Sequence, residues 1–261
     1  MDGKMIPGVL VLRAAGSNCD DETKFAFEQA GARADLVHVN RLLNGEVKLE
    51  NYQILAIPGG FTYGDDISAG KVLANQLKYK LAEKLHQFYN DKKLIIGICN
   101  GFQVLVKAGL LPVVDFTAQQ TVTLTINDSG KYEDRWVYLK VNDSPCVFTR
   151  NSKATLHYPV AHTEGKFVPQ DDQTLQYLID NKLVVFQYIS PDGKKPAFPW
   201  NPNGSVHDIA GICDPSGRIL GLMPHPERNI DPTHSPFWTR NGLAAEGDGL
   251  ALFKNAVQYF K

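Results

Sequence analysis

The chain has little that would place it in a membrane, outside the cell or on nucleic acid. No apolar run approaches the roughly 18 residues that span a bilayer, and Met1 to Pro7 lacks the charged and apolar regions of a signal peptide. Its four cysteines form no CxxC pair, so neither a disulfide framework nor a zinc finger is expected. Lys and Arg number 27 against 28 Asp and Glu, so no charge excess favours nucleic acid or an anionic membrane. These absences predict a cytoplasmic protein with free thiols.

What the chain does have is the composition of a globular protein with a sizeable core. It has 261 residues, 43% of them hydrophobic and 21% charged. In the first half, short apolar runs alternate with helical patterns, and this alternation is typical of a mostly parallel, doubly wound sheet flanked by helices. Strands are predicted at 8–14, 34–39, 54–57 and 94–98, and helices at 20–30, 68–89 and 102–108.

After residue 111 the pattern changes to one that predicts added antiparallel strands. The runs at 121–126 (TVTLTI) and 136–141 (WVYLKV) alternate around a turn-rich stretch and are predicted to form a β-hairpin. No repeat or linker interrupts the chain, so we predict a single α/β domain over residues 1–261. Further strands are predicted at 183–189, 209–214 and 219–223, loops at 191–205 and 229–248, and a terminal helix at 250–260.

The sharpest local signal is the run GICNG at 97–101, which follows a predicted strand and opens a helix. Its glycines relieve crowding in a tight turn that projects the side chain between them above the sheet, as in a nucleophile elbow. The start of a helix also favours a thiolate over a thiol. A buried core position is the commoner fate of a cysteine and is the interpretation favoured for Cys19, Cys146 and Cys213. The flanking glycines favour a nucleophile at Cys99.

A base and an orienting carboxylate are expected from the segment MPHPER at 223–228. Pro224 and Pro226 hold the residues before them extended, and in an extended segment residues two apart face the same side. His225 and Glu227 can therefore face one site, as a cysteine nucleophile requires of its base and the group that orients the base. The alternative is a loop histidine beside an incidental glutamate, since histidine is only of intermediate burial.

A glycine-rich loop, PGGFTYGDDISAG at 58–70, follows the third predicted strand. It contains neither the Gly-Lys-Ser/Thr of a P-loop nor a GxGxxG pattern, so it does not favour a nucleotide cradle. Glycines at a strand end can turn backbone N–H groups toward a neighbouring site. With the N–H of Asn100 they would form an oxyanion hole over Cys99. An ordinary strand-to-helix turn is the alternative.

Together, the runs PGGFTYGDDISAG, GICNGFQVL and MPHPER resemble the class I (triad) glutamine amidotransferases, whose fold is flavodoxin-like. Within that class, the GFTYGD and CNGFQ runs are similar to the glutaminase subunits of phosphoribosylformylglycinamidine synthases. The motifs occur in the order of that family, within a resemblance that extends from Gly8 to Phe260.

The resemblance implies a role for each matching position. The nucleophile, its general base and acid, and the residue that orients the base would be Cys99, His225 and Glu227. The two backbone N–H groups of the oxyanion hole would be those of Gly60 and Asn100. The glutamine-binding residues would be Gly59, Phe61 and Gln103. No metal is expected in this site.

A further segment, AHTEG at 161–165, is similar to a family loop written A-H-G-E-G that lies near the site. Its His162 and Glu164 are therefore candidate site residues. Thr163 stands where the family loop has glycine, and a β-branched residue resists the positive φ that glycine permits. The match therefore does not by itself imply direct roles for His162 and Glu164.

The resemblance also implies a reaction and partners. The thiolate of Cys99 would attack the side-chain amide carbon of glutamine, His225 would protonate the departing ammonia, and water would release glutamate from the thioester. The ammonia would pass to a synthetase subunit (PurL-like), accompanied by a small bridging subunit (PurS-like), that converts formylglycinamide ribonucleotide to its amidine. ATP and magnesium are expected on that synthetase, and no cofactor is expected in this chain. The glycine-rich loop is expected to rearrange on docking, which would leave the isolated subunit nearly silent.

Three alternatives stay open. A glutaminase that serves another synthetase would carry the same triad. A cysteine peptidase of related fold would place a histidine directly after the nucleophile, where this chain has Asn100. A non-catalytic scaffold subunit would not need all three triad residues.

Overall fold

The computed structural model describes residues 5–117 and 119–261, which form a nine-stranded sheet and a separate two-stranded sheet. The strands are β1 (Gly8–Arg13), β2 (Arg33–His38), β3 (Ile54–Ile57), β4 (Leu94–Ile98), β5 (Val122–Thr125), β6 (Glu133–Val141), β7 (Thr155–His162), β8 (Lys166–Pro169), β9 (Val184–Ile189), β10 (Ile209–Cys213) and β11 (Ile219–Leu222). The α-helices are α1 (Asp20–Gln29), α2 (Val39–Leu43), α3 (Lys71–Lys80), α4 (Ala82–Asn90), α5 (Asn100–Ala108), α6 (Asp172–Asp180), α7 (Trp238–Asn241) and α8 (Leu250–Gln258).

The large sheet has the strand order β2-β1-β3-β4-β11-β10-β9-β6-β7. Neighbours from β2 to β11 are parallel, and neighbours from β11 to β7 are antiparallel. Strands β3, β4 and β11 are buried along their whole length, which explains their continuous apolar sequences. The predicted fold, a doubly wound parallel sheet with added antiparallel strands, is confirmed. No helix within the described ranges is both long enough and apolar enough to cross a membrane.

The register of the central strands brings the three sequence motifs to one edge of the sheet. Ile98 at the end of β4 pairs with Leu222 at the end of β11, and Ile57 at the end of β3 pairs with Gly97. The carboxyl ends of neighbouring parallel strands meet at the same edge, which is where open α/β sheets bind ligands. The glycine-rich loop, Cys99 and the MPHPER segment therefore start side by side.

Two glycines of the GICNG run are required by the close packing of α5 on the sheet. A Cβ on Gly101 would lie 1.9 Å from the carbonyl oxygen of Ile57, and one on Gly97 would lie 2.5 Å from the carbonyl oxygen of Gly101. Either side chain would force α5 away from the strands, so these glycines fix the start of the helix against β3 and β4.

The predicted hairpin between 121–126 and 136–141 is wrong. Strand β5 pairs with β8 in the two-stranded sheet, whereas β6 lies between β9 and β7 in the large sheet. Alternation of apolar and polar residues predicts which face of a strand is buried, but it does not identify the partner strand. The partner of β5 is β8, which lies about forty residues further along the chain.

The single helix predicted at 68–89 is two helices, α3 and α4, which meet at Leu81. Leu81 has φ −125° and ψ 6°, so it leaves the helical conformation while its side chain stays buried. Neither glycine nor proline marks this break in the sequence. The helix also starts later than predicted, because Gly70 precedes it in the left-handed conformation with φ 71°.

The segment 229–248, predicted as a loop, contains α7 and a 3-10 turn at Pro232–His234. Its end is anchored to β7 through Asp248. One carboxylate oxygen of Asp248 lies 2.7 Å from Lys153 Nζ, and the other accepts a hydrogen bond from the His157 N–H at 3.2 Å. The Tyr158 hydroxyl donates to the Asp248 carbonyl at 3.2 Å. These contacts hold the segment beside the strand that ends at the candidate site.

Candidate active site

Cys99 occupies a tight turn between β4 and α5. Its backbone angles are φ 52° and ψ −107°, a conformation that costs a residue with a side chain about 1–3 kcal/mol. The Cys99 N–H donates to the Leu222 carbonyl at 2.8 Å, and the thiol donates to the Ala161 carbonyl at 3.7 Å. The surrounding backbone thus holds Cys99 in the geometry expected of a nucleophile elbow.

His225 and Glu227 form a fully buried pair. Nδ1 of His225 lies 2.6 Å from Oε1 of Glu227, and the two residues are 1% and 2% exposed. Burial opposes a charge on the imidazole, but the Glu227 carboxylate, and next the charge of Cys99, outweigh it and raise the pKa of His225 well above its ordinary value. Because Nδ1 is engaged by Glu227, Nε2 is the nitrogen left to exchange protons. Among the described residues, Nε2 has no nitrogen or oxygen partner, and interactions with the Cys19 and Cys99 side chains add to the raised pKa of His225.

Gly59 lies where the cysteine and the histidine approach each other. A Cβ on Gly59 would lie 2.8 Å from His225 Cε1 and 3.4 Å from Cys99 Cβ. Any larger residue at this position would therefore displace the imidazole. The structure places Gly59, a predicted glutamine-binding residue, close to both predicted reacting groups.

The two predicted oxyanion-hole residues lie on the segments that meet at Cys99. Asn100 is the first residue of α5, so its N–H is among the helix donors without an intrahelical acceptor. Gly60 has φ 145° and forms an isolated antiparallel bridge with Ser17. A Cβ on Gly60 would lie 2.6 Å from the Gly16 carbonyl oxygen, so only glycine fits this turn.

The side chain of Asn100 ties the glycine-rich loop to α5. Its Oδ1 accepts hydrogen bonds from the Thr62 hydroxyl at 2.7 Å and the Thr62 N–H at 3.3 Å. Its Nδ2 donates to Gln103 Oε1 at 2.9 Å and to Asp65 Oδ1 at 3.2 Å. Three of the four hydrogen bonds of this buried amide connect the loop with the helix, and the one to Gln103 lies within α5, so a movement of the loop changes the surroundings of the helix start.

The AHTEG segment reaches the site through its backbone. Gln103 Nε2 donates to the Glu164 carbonyl at 2.6 Å. The His162 ring instead faces Asn127, with Nδ1 3.1 Å from Asn127 Oδ1. Burial, together with the charge of His225, lowers the pKa of His162 to about 3, so its ring is neutral. Thr163 does not have a positive φ. The loop therefore accommodates this β-branched residue without that strain.

Phe61, the remaining predicted glutamine-binding residue, lies beside Tyr132, which the sequence did not indicate. Phe61 is 45% exposed, and the two ring centroids are 6.4 Å apart. Burial, followed by the negative charge of Cys99, raises the pKa of Tyr132. The two rings therefore lie at the solvent side of the Cys99 region.

Cys19 and Arg228 are also at the site, although sequence reasoning did not place them there. Nη2 of Arg228 donates a hydrogen bond to the sulfur of Cys19 at 3.0 Å. Burial opposes the Arg228 charge, but the negative charges of Cys19 and Glu227 outweigh it and raise the pKa of Arg228. Arg228 directly follows Glu227 in the MPHPER motif, and this position was the sequence signal that could have placed it at the site. Cys19 is buried, as predicted, but it lies beside the buried pair of His225 and Glu227.

Asn127 is a structural support that the sequence did not reveal, and we expect its removal to destabilise the protein. Its Nδ2 donates to the His162 carbonyl at 2.8 Å, and its Oδ1 accepts from the Gly165 N–H at 3.0 Å. Asn127→Ala should lower the free energy of unfolding by about 1–3 kcal/mol for each buried group left unsatisfied. Urea unfolding measures the loss. The matched control Asn181→Ala removes a hydrogen bond from an exposed asparagine and should shift stability by less than about 0.5 kcal/mol. Equal midpoints for the two variants would contradict this account.

The fold, and the approach of a cysteine to a buried histidine–glutamate pair, are those of a glutamine amidotransferase domain. The family model for the CobB/CobQ-like glutamine amidotransferase domain matches residues 6–260. The chain is 50% identical to phosphoribosylformylglycinamidine synthase subunit PurQ of Dehalococcoides mccartyi, with 96% of each chain covered. It is 46% identical to the PurQ subunit of Methanococcus maripaludis, with 98% of each chain covered. The chain belongs to the PurQ family of glutamine amidotransferases.

Solved structures agree with this assignment. A chain in the structure of PurLQS from Thermotoga maritima matches with a TM-score of 0.75 and 32% identity, covering 98% of this chain and all of that one. A glutamine amidotransferase from Thermotoga maritima matches with a TM-score of 0.51 and 17% identity, covering 91% of this chain and 82% of that one. The second likeness concerns the fold alone.

Proposed function

We propose that this chain is the glutaminase subunit of a phosphoribosylformylglycinamidine synthase. It hydrolyses glutamine to glutamate and ammonia and delivers the ammonia to a synthetase subunit, which converts formylglycinamide ribonucleotide to its amidine in purine biosynthesis. The observation that carries this proposal is the buried 2.6 Å contact between His225 and Glu227 at the edge of the sheet where Cys99 lies. It occurs in a chain half identical to a curated PurQ subunit.

The proposed reaction assigns one task to each side chain. The Cys99 thiolate attacks the amide carbon of glutamine, and the N–H groups of Gly60 and Asn100 stabilise the oxyanion that forms. Nε2 of His225 gives its proton to the leaving ammonia and then takes one from the water that cleaves the thioester. Glu227 holds the imidazole through Nδ1 and stabilises its charged form.

Glutamine binding requires the site to open. Cys99 is only 5% exposed, so a substrate reaches the sulfur only when part of its cover moves. The proposed glutamine pocket is lined by Gly59, Phe61 and Gln103. The first two belong to the glycine-rich loop, which covers the site and is hydrogen-bonded to Asn100. We therefore assign the opening to this loop, with docking of the synthetase as its trigger.

The partners follow from the same assignment. The chain works with a PurL-like synthetase and a small PurS-like bridging subunit, as the PurLQS structure of a 32% identical relative supports. ATP and magnesium bind to the synthetase, because the glycine-rich loop at 58–70 has no nucleotide-binding pattern. The complex acts in the cytoplasm.

The test is glutamate release from glutamine by the purified chain, alone and with the synthetase and bridging subunits, ATP, magnesium and formylglycinamide ribonucleotide. We expect turnover in the full mixture, little turnover by the chain alone, and loss of turnover when the ribonucleotide is left out. Turnover supported by a different synthetase, but not by this one, would overturn the pathway and keep the glutaminase. High turnover by the chain alone would overturn the proposed opening mechanism.

A further inference from the structure

The glycine-rich loop carries an isoleucine that is both exposed and strained. Ile67 is 86% exposed, and its φ is 71°. Left-handed backbone of this kind is unfavourable for any residue with a side chain and most unfavourable for a β-branched one. In the isolated chain, the side chain of Ile67 buries almost no apolar surface that would offset this strain.

Contacts on both sides of Ile67 hold the loop in this conformation. On the amino side, the Tyr63 N–H donates a hydrogen bond to the Ala15 carbonyl at 2.7 Å. On the carboxyl side, Nζ of Lys107 donates to the Ala69 carbonyl. Backbone strain persists only where the surrounding structure imposes it, and it is concentrated at functional and switching segments. The loop therefore presents the Ile67 side chain to solvent from a backbone that is fixed at both ends.

The same loop is hydrogen-bonded to the proposed oxyanion hole. The Thr62 hydroxyl and N–H donate to Oδ1 of Asn100, and Oδ1 of Asp65 accepts from Nδ2 of Asn100 at 3.2 Å. Ile67 is thus two residues from a side chain that contacts the start of α5. A partner that binds Ile67 would bind the segment whose movement changes the surroundings of Asn100.

The proposed reaction indicates which partner would cover Ile67. Ammonia forms at Cys99, at the carboxyl edge of the parallel strands, and the glycine-rich loop starts at the same edge after β3. Ammonia released into water would be diluted and protonated, so direct transfer requires the synthetase to cover this edge. A chain in the PurLQS structure of Thermotoga maritima is 32% identical to this one, which supports a synthetase as the partner.

We propose that Ile67 is an apolar anchor through which the synthetase subunit docks on the glycine-rich loop. Its side chain enters an apolar pocket of the synthetase, and burial there supplies the hydrophobic stabilisation that the isolated chain lacks. Because the backbone is already held in place, little conformational entropy is lost on docking. This inference rests on the proposed partnership with a synthetase, and it names the residue on which the trigger for loop opening acts.

The affinity of the full chain for the synthetase and bridging subunits tests the anchor. Sedimentation velocity would measure it with ATP, magnesium and glutamine present and the ribonucleotide left out. Ile67→Asn should bind at least about tenfold more weakly than the wild type. Asparagine adopts a positive φ more readily than isoleucine, so the urea unfolding midpoint of the isolated variant should not fall. The substitution therefore weakens the complex without destabilising the chain.

Ile6→Asn is the matched control, because it makes the same substitution at the opposite edge of the sheet. Ile6 is 68% exposed and lies just before the amino end of β1. This variant should bind as the wild type does. Wild-type affinity in Ile67→Asn, or equal weakening in Ile6→Asn, would overturn the anchor. A lower unfolding midpoint in Ile67→Asn would also overturn it, since the weaker binding would then reflect a damaged loop.

Activity of the assembled enzyme separates the anchor from the proposed function. Half-maximal glutamine-dependent synthesis should require at least about tenfold more Ile67→Asn than wild type, with ammonium-dependent synthesis unchanged. Equal half-maximal concentrations would contradict the anchor. A wild-type chain that does not bind the synthetase would overturn the partnership and the anchor together. If the wild type binds but releases no glutamate, the glutaminase assignment fails while the binding result still decides the anchor.

Discussion

Replacing Cys99 with alanine is expected to lower glutamine-dependent synthesis by the assembled enzyme at least about 10⁴-fold, as loss of a covalent nucleophile does in other triad enzymes. The variant has no sulfur to form the thioester, and the remaining groups cannot supply that intermediate. Synthesis from added ammonium should continue at the wild-type rate, because the ammonia-using half of the reaction belongs to the synthetase. Parallel assays with glutamine and with ammonium measure the two effects.

A glycine at the same position separates chemistry from backbone strain. Cys99→Gly should be as inactive with glutamine as Cys99→Ala but more stable than it by about 1–3 kcal/mol, since glycine tolerates the positive φ of this turn. Urea unfolding of the two variants measures the difference. Appreciable glutamine use by either variant would contradict the assignment of Cys99 as nucleophile.

Glu227→Gln is expected to lower glutamine-dependent kcat by about 10⁴-fold, because an amide neither stabilises the imidazolium nor holds the required tautomer. It should also change how stability depends on pH. Glu227 raises the pKa of His225 in the folded protein, above an unfolded value of about 6.5. The stabilisation from this pair is therefore complete below about pH 6.5 and is lost as the pH rises through the folded pKa.

The stability deficit of Glu227→Gln should accordingly be largest near pH 6 and should shrink in alkaline solution. Urea unfolding of the variant and the wild type across that range measures it. Glu246→Gln is a suitable control, because Glu246 pairs with Lys254 at the exposed surface, where ion pairs contribute about 0–1 kcal/mol. A deficit for Glu227→Gln that stays constant with pH would indicate a loss of packing rather than of the charge pair.

The central strands were predictable because their local signals are complete. The predicted bounds of β3 and β4 equal the observed ones, since each is a continuous apolar run followed directly by a turn, which begins at Pro58 after β3 and at Cys99 after β4. Strand β7 was not predicted, and Pro159 lies in its middle. Proline is tolerated there because β7 is the last strand of the large sheet, where one row of donors needs no partner. Whether a strand lies at the edge depends on the arrangement of the whole sheet, so the sequence of β7 alone does not reveal it.

The same distinction applies to the candidate site. Cys99, His225 and Glu227 lie within short motifs whose spacing predicts the proposed chemistry. Asn127 and Tyr132 come from a loop with no such motif, and only long-range packing brings them to the AHTEG segment and to Phe61. Their contributions therefore had no local sequence signal.

Because β4 and β11 are neighbours in the sheet, the candidate site can form only after both strands have been synthesised. The two strands pair directly, yet the antiparallel strands β6, β7, β9 and β10 are all encoded between them. During synthesis the ribosome therefore adds Cys99, the proposed nucleophile, long before it adds His225, the proposed base. Pairing between such distant segments is slow compared with local folding. If the proposed roles hold, an unfinished chain consequently carries the cysteine without its histidine, and we expect that it does not hydrolyse glutamine.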